Sequence, residues 1–189
     1  RLPELMKALF NSNITKSTRC LVEWQLHTMT RPIEAATARW VDIDFNKKIW
    51  VIPEERMKMK KSHTIPLTTQ TLALLDVIRS INHNSEYLFP SRSNLRSHAN
   101  SQTVNMALKR IGFSGQLVSH GLRALASTTL NEKGFDPDVI EAALAHIDKN
   151  EVRRAYNRAE YLDKRRLLMC WWSEHIEQSA TGSYTLAST

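Results

Sequence analysis

The chain of 189 residues is poor in the side chains that build disulfide frameworks and metal centres. It has two cysteines, Cys20 and Cys170, which form no metal-binding or redox spacing. Two isolated cysteines are most simply explained as reduced thiols in the core of a protein, and we therefore expect a cytoplasmic location. No carboxylate cluster pairs with the histidines at ligand spacing, which disfavours a metal-dependent nuclease. We expect neither a metal nor another cofactor.

Long apolar segments are also missing. No run approaches the length needed to cross a membrane, and no signal-peptide pattern opens the chain, so we expect no membrane partner. No internal repeat is present. The length suits one domain with its own core. Because the chain starts at Arg1 rather than at Met, we expect it to be part of a longer protein.

Acidic residues are fewer than basic residues in this chain. Lys and Arg total 26 against 19 Asp and Glu, which gives a formal net charge of +7 and an isoelectric point of about 9.6. Such a surplus favours a polyanionic partner, and nucleic acid is the first candidate. Charge alone does not decide the point, since many basic domains bind no nucleic acid.

Apolar spacing and capping residues predict a chain that is mainly helical with one region of strands. Alternation around an Asn-Lys-Lys turn predicts two strands within residues 40–53, and a third follows at 62–67. The expected class is therefore α+β, mainly α-helical with a small three-stranded antiparallel sheet. Ser119 is expected to cap the helix that stops before Gly134, and Asp136-Pro137 to start the next one. The other expected helices cover residues 2–10, 14–29, 32–39, 69–79, 101–111 and 161–178.

His120 and Arg123 are the first candidate site residues. Residues three apart lie on the same face of a helix, so the two side chains point together. An Arg fork matches two phosphate oxygens, which suggests an anion site. For an isolated pair, the ordinary explanation is a histidine near a helix start with an arginine reaching solvent. The opposite side of this helix is expected to be anchored in the core by Leu122, Ala126 and Leu130.

Arg31 and Glu34 form a second candidate pair. Arg31 precedes Pro32 and therefore marks the junction before the helix that the proline begins. Glu34 falls in the first turn of that helix, where a carboxylate suits the helix dipole. The pair is either a favourable helix start or an arginine that projects from a helix end and is braced by a carboxylate.

Two further basic stretches carry candidates that have ordinary explanations when taken singly. The stretch 56–67 is a cationic hairpin whose lysines, Lys58, Lys60 and Lys61, are commonly solvated. The stretch 143–166 holds His146 and Tyr156 among many basic residues. A tyrosine in such a place usually packs, but the cations could also favour a phenolate and hold a phosphate.

The order of these features is specific. An Arg with Glu three residues on is followed by a hairpin Lys, His-x-x-Arg, a second His, and a Tyr ten residues later. In this order the chain resembles the catalytic domain of the tyrosine recombinase (phage integrase) family, and most of all the temperate-phage and genomic-island integrases. The resemblance covers residues 14–178 and is carried by the stretches "TRPIEAATARWVDIDF", "RMKMKKSHTIPL", "SHGLRALAST" and "ALAHIDKNEVRRAYNRAEYLDKRR".

The resemblance implies a tyrosine recombinase catalytic fold over residues 1–178, a C-terminal tail over 179–189, and a DNA core-binding domain upstream of this chain. It implies strand cleavage and rejoining through a 3′-phosphotyrosyl intermediate, without metal or cofactor. The implied partners are double-stranded DNA at attachment sites, further copies of the chain in a tetramer, and accessory DNA-bending proteins. One departure is Met29-Thr30, where many relatives have Gly-Leu before the arginine.

The family's catalytic residues fall on six positions of this chain, with Glu34 as an orienting residue. In the implied mechanism Tyr156 is the nucleophile, Lys58 protonates the leaving oxygen and His120 takes or relays the tyrosine proton. Lys60 and Lys61 crowd Lys58 and leave the identity of the general acid open. The six positions are Arg31, Lys58, His120, Arg123, His146 and Tyr156.

Other hypotheses remain at this point. A non-catalytic DNA-binding remnant of an integrase would keep the shape, although the full set of catalytic side chains argues against it. A type IB topoisomerase shares the chemistry but not these motifs, and a helix-turn-helix repressor explains the charge but not the ordered set. The tail at 179–189 either docks on its own or a neighbouring subunit through Tyr184 and Leu186, or is disordered.

Overall fold

The computed structural model describes residues 1–146, 158–180 and 186–187. Within these residues, helices surround one small sheet, and two one-turn 3₁₀ segments flank its first two strands. This confirms the expected class. The helices are α1 (Leu2–Phe10), α2 (Lys16–Thr28), α3 (Pro32–Ala36), α4 (Thr69–Ile81), α5 (Thr103–Leu108), α6 (Gly121–Glu132), α7 (Pro137–Ala143) and α8 (Arg158–Ser179).

The sheet is antiparallel with the order β1-β2-β3, as expected. Its strands are β1 (Ile43–Asp44), β2 (Ile49–Ile52) and β3 (His63–Pro66). The first strand is shorter than the alternation suggested, because Trp40–Asp42 forms a 3₁₀ turn whose first N–H donates to the carbonyl of Glu86 at 3.0 Å. The connection between β2 and β3 carries the cationic stretch.

Helix α2 is the centre of the molecule. All of its residues from Cys20 to Thr28 are buried, and it packs against α3, α4, α5, α6 and α8. A helix that is buried on every side belongs to the core rather than to the surface. The Trp24 ring lies against Trp50 of β2 with the ring centroids 5.0 Å apart, which joins this core to the sheet.

Helix α8 is tied to the rest of the fold by polar contacts as well as by apolar packing. Its Ser173 hydroxyl lies 2.8 Å from Nδ1 of His27 on α2 and 2.9 Å from the hydroxyl of Thr68, which caps α4. At the other end of α8, Arg165 donates to the main-chain carbonyl of Thr64, and Arg166 donates to the carbonyl of Lys48 at 3.2 Å. Through these contacts α8 is hydrogen bonded to α2, to the N-cap of α4 and to the sheet region.

Two residues of the tail are described, and both pack against the rest of the same chain. The main-chain N–H of Leu186 donates to the two carboxylate oxygens of Glu23 at 3.0 and 3.2 Å, and Ala187 is fully buried. Glu23 is itself fully buried on α2, where it also accepts from Arg19 at 3.3 Å. This part of the tail is docked, as the first of the two hypotheses expects.

Most helix ends fall where the sequence places them. The caps Thr68 and Asp136 accept hydrogen bonds from the first turns of α4 and α7. Two helices are shorter than expected: α3 ends at Ala36, and the helix expected over 101–111 stops at Leu108 and continues as a π turn.

The prediction that Ser119 caps α6 is wrong. The helix starts one residue later, with His120 at the N-cap position and no side-chain cap. Its first turn is closed by main-chain bonds, including the one from Arg123 N–H to the His120 carbonyl at 3.2 Å. Ser119 is fully buried and its hydroxyl bonds to Gln25 instead. A serine hydroxyl before a helix can bond either to the backbone of that helix or to a distant side chain, and here it bonds to the distant one.

Gly134 ends α6 as expected. It adopts φ +84°, its N–H donates to the Asn131 carbonyl at 3.0 Å, and the next N–H, of Phe135, reaches the Leu130 carbonyl at 3.2 Å. This is a Schellman motif, which requires the left-handed conformation that glycine adopts without strain.

We therefore predict that Gly134→Ala lowers the free energy of unfolding by about 1 kcal/mol. A Cβ at this position would meet no atom within 4 Å, so the cost is conformational rather than steric. Urea unfolding measures it, with the exposed Glu132→Ala in the same turn as the control. Equal stability of the two variants would contradict the assignment.

Candidate active site

Arg31 is held at the start of α3 by the carboxylate of Glu34. Its main-chain N–H donates to Oε2 at 2.9 Å, and its Nη1 donates to Oε1 at 3.0 Å. Glu34 is buried, whereas 17% of the Arg31 side chain remains exposed. Because one carboxylate holds both the backbone and the guanidinium, the remaining donors of Arg31 are fixed in direction.

Arg123 lies in the first turn of α6 and is largely buried. Its Nη2 donates to the Leu144 carbonyl at 2.6 Å. Burial and, to a lesser extent, the positive charge of Arg31 lower the pKa of Arg123, the carboxylates of Glu34 and Glu141 oppose them, and the resulting pKa is about 10. The guanidinium stays charged at neutral pH, close to a second guanidinium.

His146 is oriented from both sides of its ring. Nδ1 lies 2.7 Å from the carboxylate of Glu141, and Nε2 lies 3.2 Å from Nη2 of Arg123. A carboxylate accepts and a guanidinium donates, so this geometry assigns the proton to Nδ1 and the lone pair to Nε2. Glu141 therefore fixes the ring so that Nε2 faces Arg123.

A cavity of about 720 Å³ brings several predicted site residues together. Its size is that of a typical ligand site. Arg31, Lys58 and His120 line it from three different parts of the chain, α3, the β2–β3 connection and the start of α6. Glu34 lines it as well. Arg123 is not among the described lining residues, but its guanidinium experiences the positive charge of Arg31.

The three neighbouring lysines of the β2–β3 connection take different positions in the structure. Lys58 lines the cavity, whereas Lys60 and Lys61 are not among the described lining residues. Lys60 occupies the left-handed region, with φ +54°, in the turn that reverses the chain toward β3. Lys58 is therefore the one of these three lysines that the structure places at the cavity.

Tyr156, the predicted nucleophile, lies outside the described residues. Tyr161, a second tyrosine five residues further along the chain, falls in the first turns of α8 and is half-buried. The described part of the chain thus assembles Arg31, Glu34, Lys58 and His120 around one cavity, and it pairs Arg123 with His146.

The model of the Phage integrase family matches residues 1–162. The chain belongs to this family. It is 56% identical over 186 residues to prophage integrase IntA of Escherichia coli (strain K12), covering 98% of this chain and 45% of that protein. It is 35% identical over 195 residues to the integrase of Enterobacteria phage P4, covering 95% and 44%. The chain therefore spans less than half the length of these curated relatives.

A solved integrase structure has the same fold. The integrase from mycobacterium phage Brujita matches with a TM-score of 0.65 over 88% of this chain and 55% of that chain. The sequence identity is 17%, so the likeness concerns the fold alone. It agrees with the mainly helical class and the small antiparallel sheet of this integrase-family chain.

The described residues contain neither a cluster of metal ligands nor a membrane-spanning helix. No group of three or more His, Cys, Asp and Glu residues in this part of the integrase-family chain is placed to hold a metal ion. No helix among the described residues is long and apolar enough to span a membrane.

Sequence reasoning missed His63, a buried histidine whose electrostatic environment includes Arg31 and Arg123 of the site. It is buried on β3, and its ring is hydrogen bonded to the backbone of Ala143. Burial lowers its pKa to about 3, and the positive charges of Arg165, Arg123 and Arg31 act in the same direction. A neutral imidazole therefore packs beneath the arginines. The available signal was its alternation with the inward-facing Ile65 on a strand, which marks His63 as buried.

We predict that His63 makes the fold acid-sensitive. An unfolded histidine takes up a proton near pH 6.5, whereas folded His63 stays neutral down to about pH 3. Stability is therefore fully present above pH 6.5 and is lost as the pH falls toward 3, by up to about 1.4 kcal/mol per pH unit. The unfolding free energy of His63→Gln should fall less steeply between pH 6 and 4.

The measurement is urea unfolding of both proteins across that range. The difference between them at pH 8, where the imidazole is neutral in either state, gives the packing cost of the substitution. Parallel curves below pH 6 would show that His63 does not titrate between the folded and unfolded chain.

Proposed function

We propose that this chain is the catalytic part of a site-specific DNA recombinase that cleaves and rejoins DNA strands through a 3′-phosphotyrosyl intermediate. The observation that carries the proposal is the cavity shared by Arg31, Lys58 and His120, together with the buried guanidinium of Arg123, which experiences the charge of Arg31. The relatives are named as phage and prophage integrases, which agrees with such an activity.

The paired arginines would bind the scissile phosphate. Attack on phosphorus builds negative charge on its two non-bridging oxygens, and Arg31 and Arg123 supply fixed donors for that charge. Because Glu34 already holds Arg31, little reorganisation accompanies the reaction. This preorganised positive charge takes the role that metal ions play in other phosphoryl-transfer sites.

The bond changes follow from the residues around the cavity. Tyr156 Oη attacks phosphorus in line, the phosphorus–O5′ bond breaks, and a 3′-phosphotyrosine and a free 5′-hydroxyl result. His120 accepts the phenol proton, and Lys58 gives a proton to the departing 5′-oxygen. Rejoining reverses each transfer, and the phosphodiester energy is kept in the covalent link. Tyr156 is assigned on its place ten residues after His146, among Arg153 and Arg154.

His146 would act with Arg123 on the same phosphate. In the structure its Nε2 accepts from Arg123 while Glu141 holds Nδ1. When a phosphate approaches Arg123, an N–H at Nε2 of His146 can donate to a non-bridging oxygen, while Glu141 holds the ring in place. Glu141 thereby joins the proposed site as an orienting residue.

The proposal includes the organisation of the chain and its partners. Residues 1–178 are the catalytic domain and residues 179–189 its tail. Double-stranded DNA containing an attachment site is the substrate, a tetramer of the recombinase on that DNA is the active assembly, and accessory DNA-bending proteins assist it.

We predict that Tyr156→Phe abolishes the covalent adduct with a nicked suicide substrate while DNA binding is retained, since only a hydroxyl is removed. Tyr161→Phe is the matched control and should form the adduct. Denaturing gels measure the adduct, and mass spectrometry of the phosphotyrosyl peptide locates it. An adduct on Tyr161 would overturn the assignment. DNA binding without any adduct by the wild-type chain would favour a non-catalytic remnant.

We also predict that adduct formation persists in excess EDTA. The positive charge at the site comes from Arg31, Lys58 and Arg123, so a chelator removes nothing that the proposed chemistry needs. Cleavage of the same suicide substrate, with and without EDTA, is the measurement. Loss of cleavage that is restored by Mg²⁺ would contradict the mechanism.

A further inference from the structure

We propose that Gln25 and Asn105 are positioning residues that hold His120 at the cavity by fixing the residue before it, Ser119. This inference rests on the proposed function, because it concerns the residue assigned to take the tyrosine proton. Neither residue belongs to the set of site residues expected from the sequence. Each contacts Ser119 from a different helix, and neither helix is α6.

Gln25 holds the hydroxyl and the carbonyl of Ser119. Its Nε2 donates to the Ser119 carbonyl at 3.0 Å and lies 2.9 Å from the hydroxyl, which in turn lies 3.3 Å from Gln25 Oε1. Both side chains are fully buried. A buried amide that lost these partners would carry a desolvation penalty, so the geometry is strongly fixed.

Asn105 holds the remaining main-chain group of Ser119. Its Oδ1 accepts the Ser119 N–H at 2.6 Å, and its Nδ2 donates to Oε1 of Gln102 at 3.0 Å. Asn105 and His120 line the same cavity. The N–H, the carbonyl and the hydroxyl of Ser119 are therefore all bonded to side chains of α2 and α5.

His120 needs this support because its own side chain is exposed and makes no hydrogen bond to the described residues. It occupies the N-cap position of α6, and Val118, two residues before it, is 54% exposed. The backbone of Ser119 is thus the rigid point next to His120. A displacement of about 1 Å in a catalytic group can cost roughly 10²-fold in rate.

The alternative is that the Gln25–Ser119–Asn105 contacts only stabilise the core. Gln70 offers a matched control, because it is also buried and its Nε2 donates to Glu177 at 2.7 Å, a contact with α8 that does not involve Ser119. If loss of a buried amide acted through stability alone, Gln70→Leu and Gln25→Leu would change cleavage alike.

The experiment measures single-turnover cleavage of the suicide substrate by the chain at saturating DNA, together with the Kd for DNA and the Tm. We expect Gln25→Leu and Asn105→Ala to slow cleavage by roughly 10–100-fold, with the Kd within about threefold of wild type. Gln70→Leu should lower the Tm and leave the cleavage rate unchanged. Asn105 is only half-buried, so its variant keeps the test open if Gln25→Leu does not fold.

A second arm asks whether the effect passes through His120. In a His120→Ala background, Asn105→Ala should slow cleavage no further, because the group that it positions is gone. Equal losses in both backgrounds, or a wild-type rate for Asn105→Ala, would overturn the inference. An absence of adduct with the wild-type chain would instead overturn the proposed function, so the two failures are distinguishable.

Discussion

Two guanidiniums of like charge, on Arg31 and Arg123, lie within range of each other's charge and have little exposure to solvent. Such an arrangement is unfavourable unless opposite charges and hydrogen-bond acceptors surround it. Glu34 supplies two bonds to Arg31, and Glu141 supports Arg123 through its charge and through its bond to His146. The repulsion that remains is relieved when an anion binds, which is the physical reason for expecting a phosphate at this place.

Helix α2 provides the frame for this charge pair. Within its buried stretch from Cys20 to Thr28, Glu23 holds the described part of the tail, Gln25 holds the start of α6, and His27 bonds to α8. The helix ends just before Arg31. One buried helix thereby fixes the relative places of the segments that carry Arg31 and His120, and it anchors the helix that follows the segment containing Tyr156.

The sequence predicted those features that depend on local signals. Apolar spacing, Pro137 and Gly134 placed the helix boundaries, and the brace of Arg31 by Glu34 was one of the two interpretations that their spacing left open. Residues that act through distant partners gave no comparable signal. Ser119 was expected to be a local cap because its true partner, Gln25, lies 94 positions away in the sequence.

The sequence also does not show which charged side chains from distant elements come to lie around a buried residue. A histidine on a short strand indicates burial, but it does not reveal that three arginines from separate elements surround it, as they do His63. Similarly, Glu141 precedes His146 by five residues across the end of α7, a spacing that marks no particular contact. The assignment of Tyr156 as nucleophile stays a prediction from the sequence.

The central claim is that Arg31 and Arg123 act on one phosphate. A double-mutant cycle on single-turnover cleavage tests it most directly, with Arg31→Lys, Arg123→Lys and the double variant, since lysine keeps the charge but loses the fork. If the arginines work as a unit, each single change costs roughly 10²–10³ in rate and the double change costs far less than the product. Losses that simply multiply would show independent sites and contradict the account.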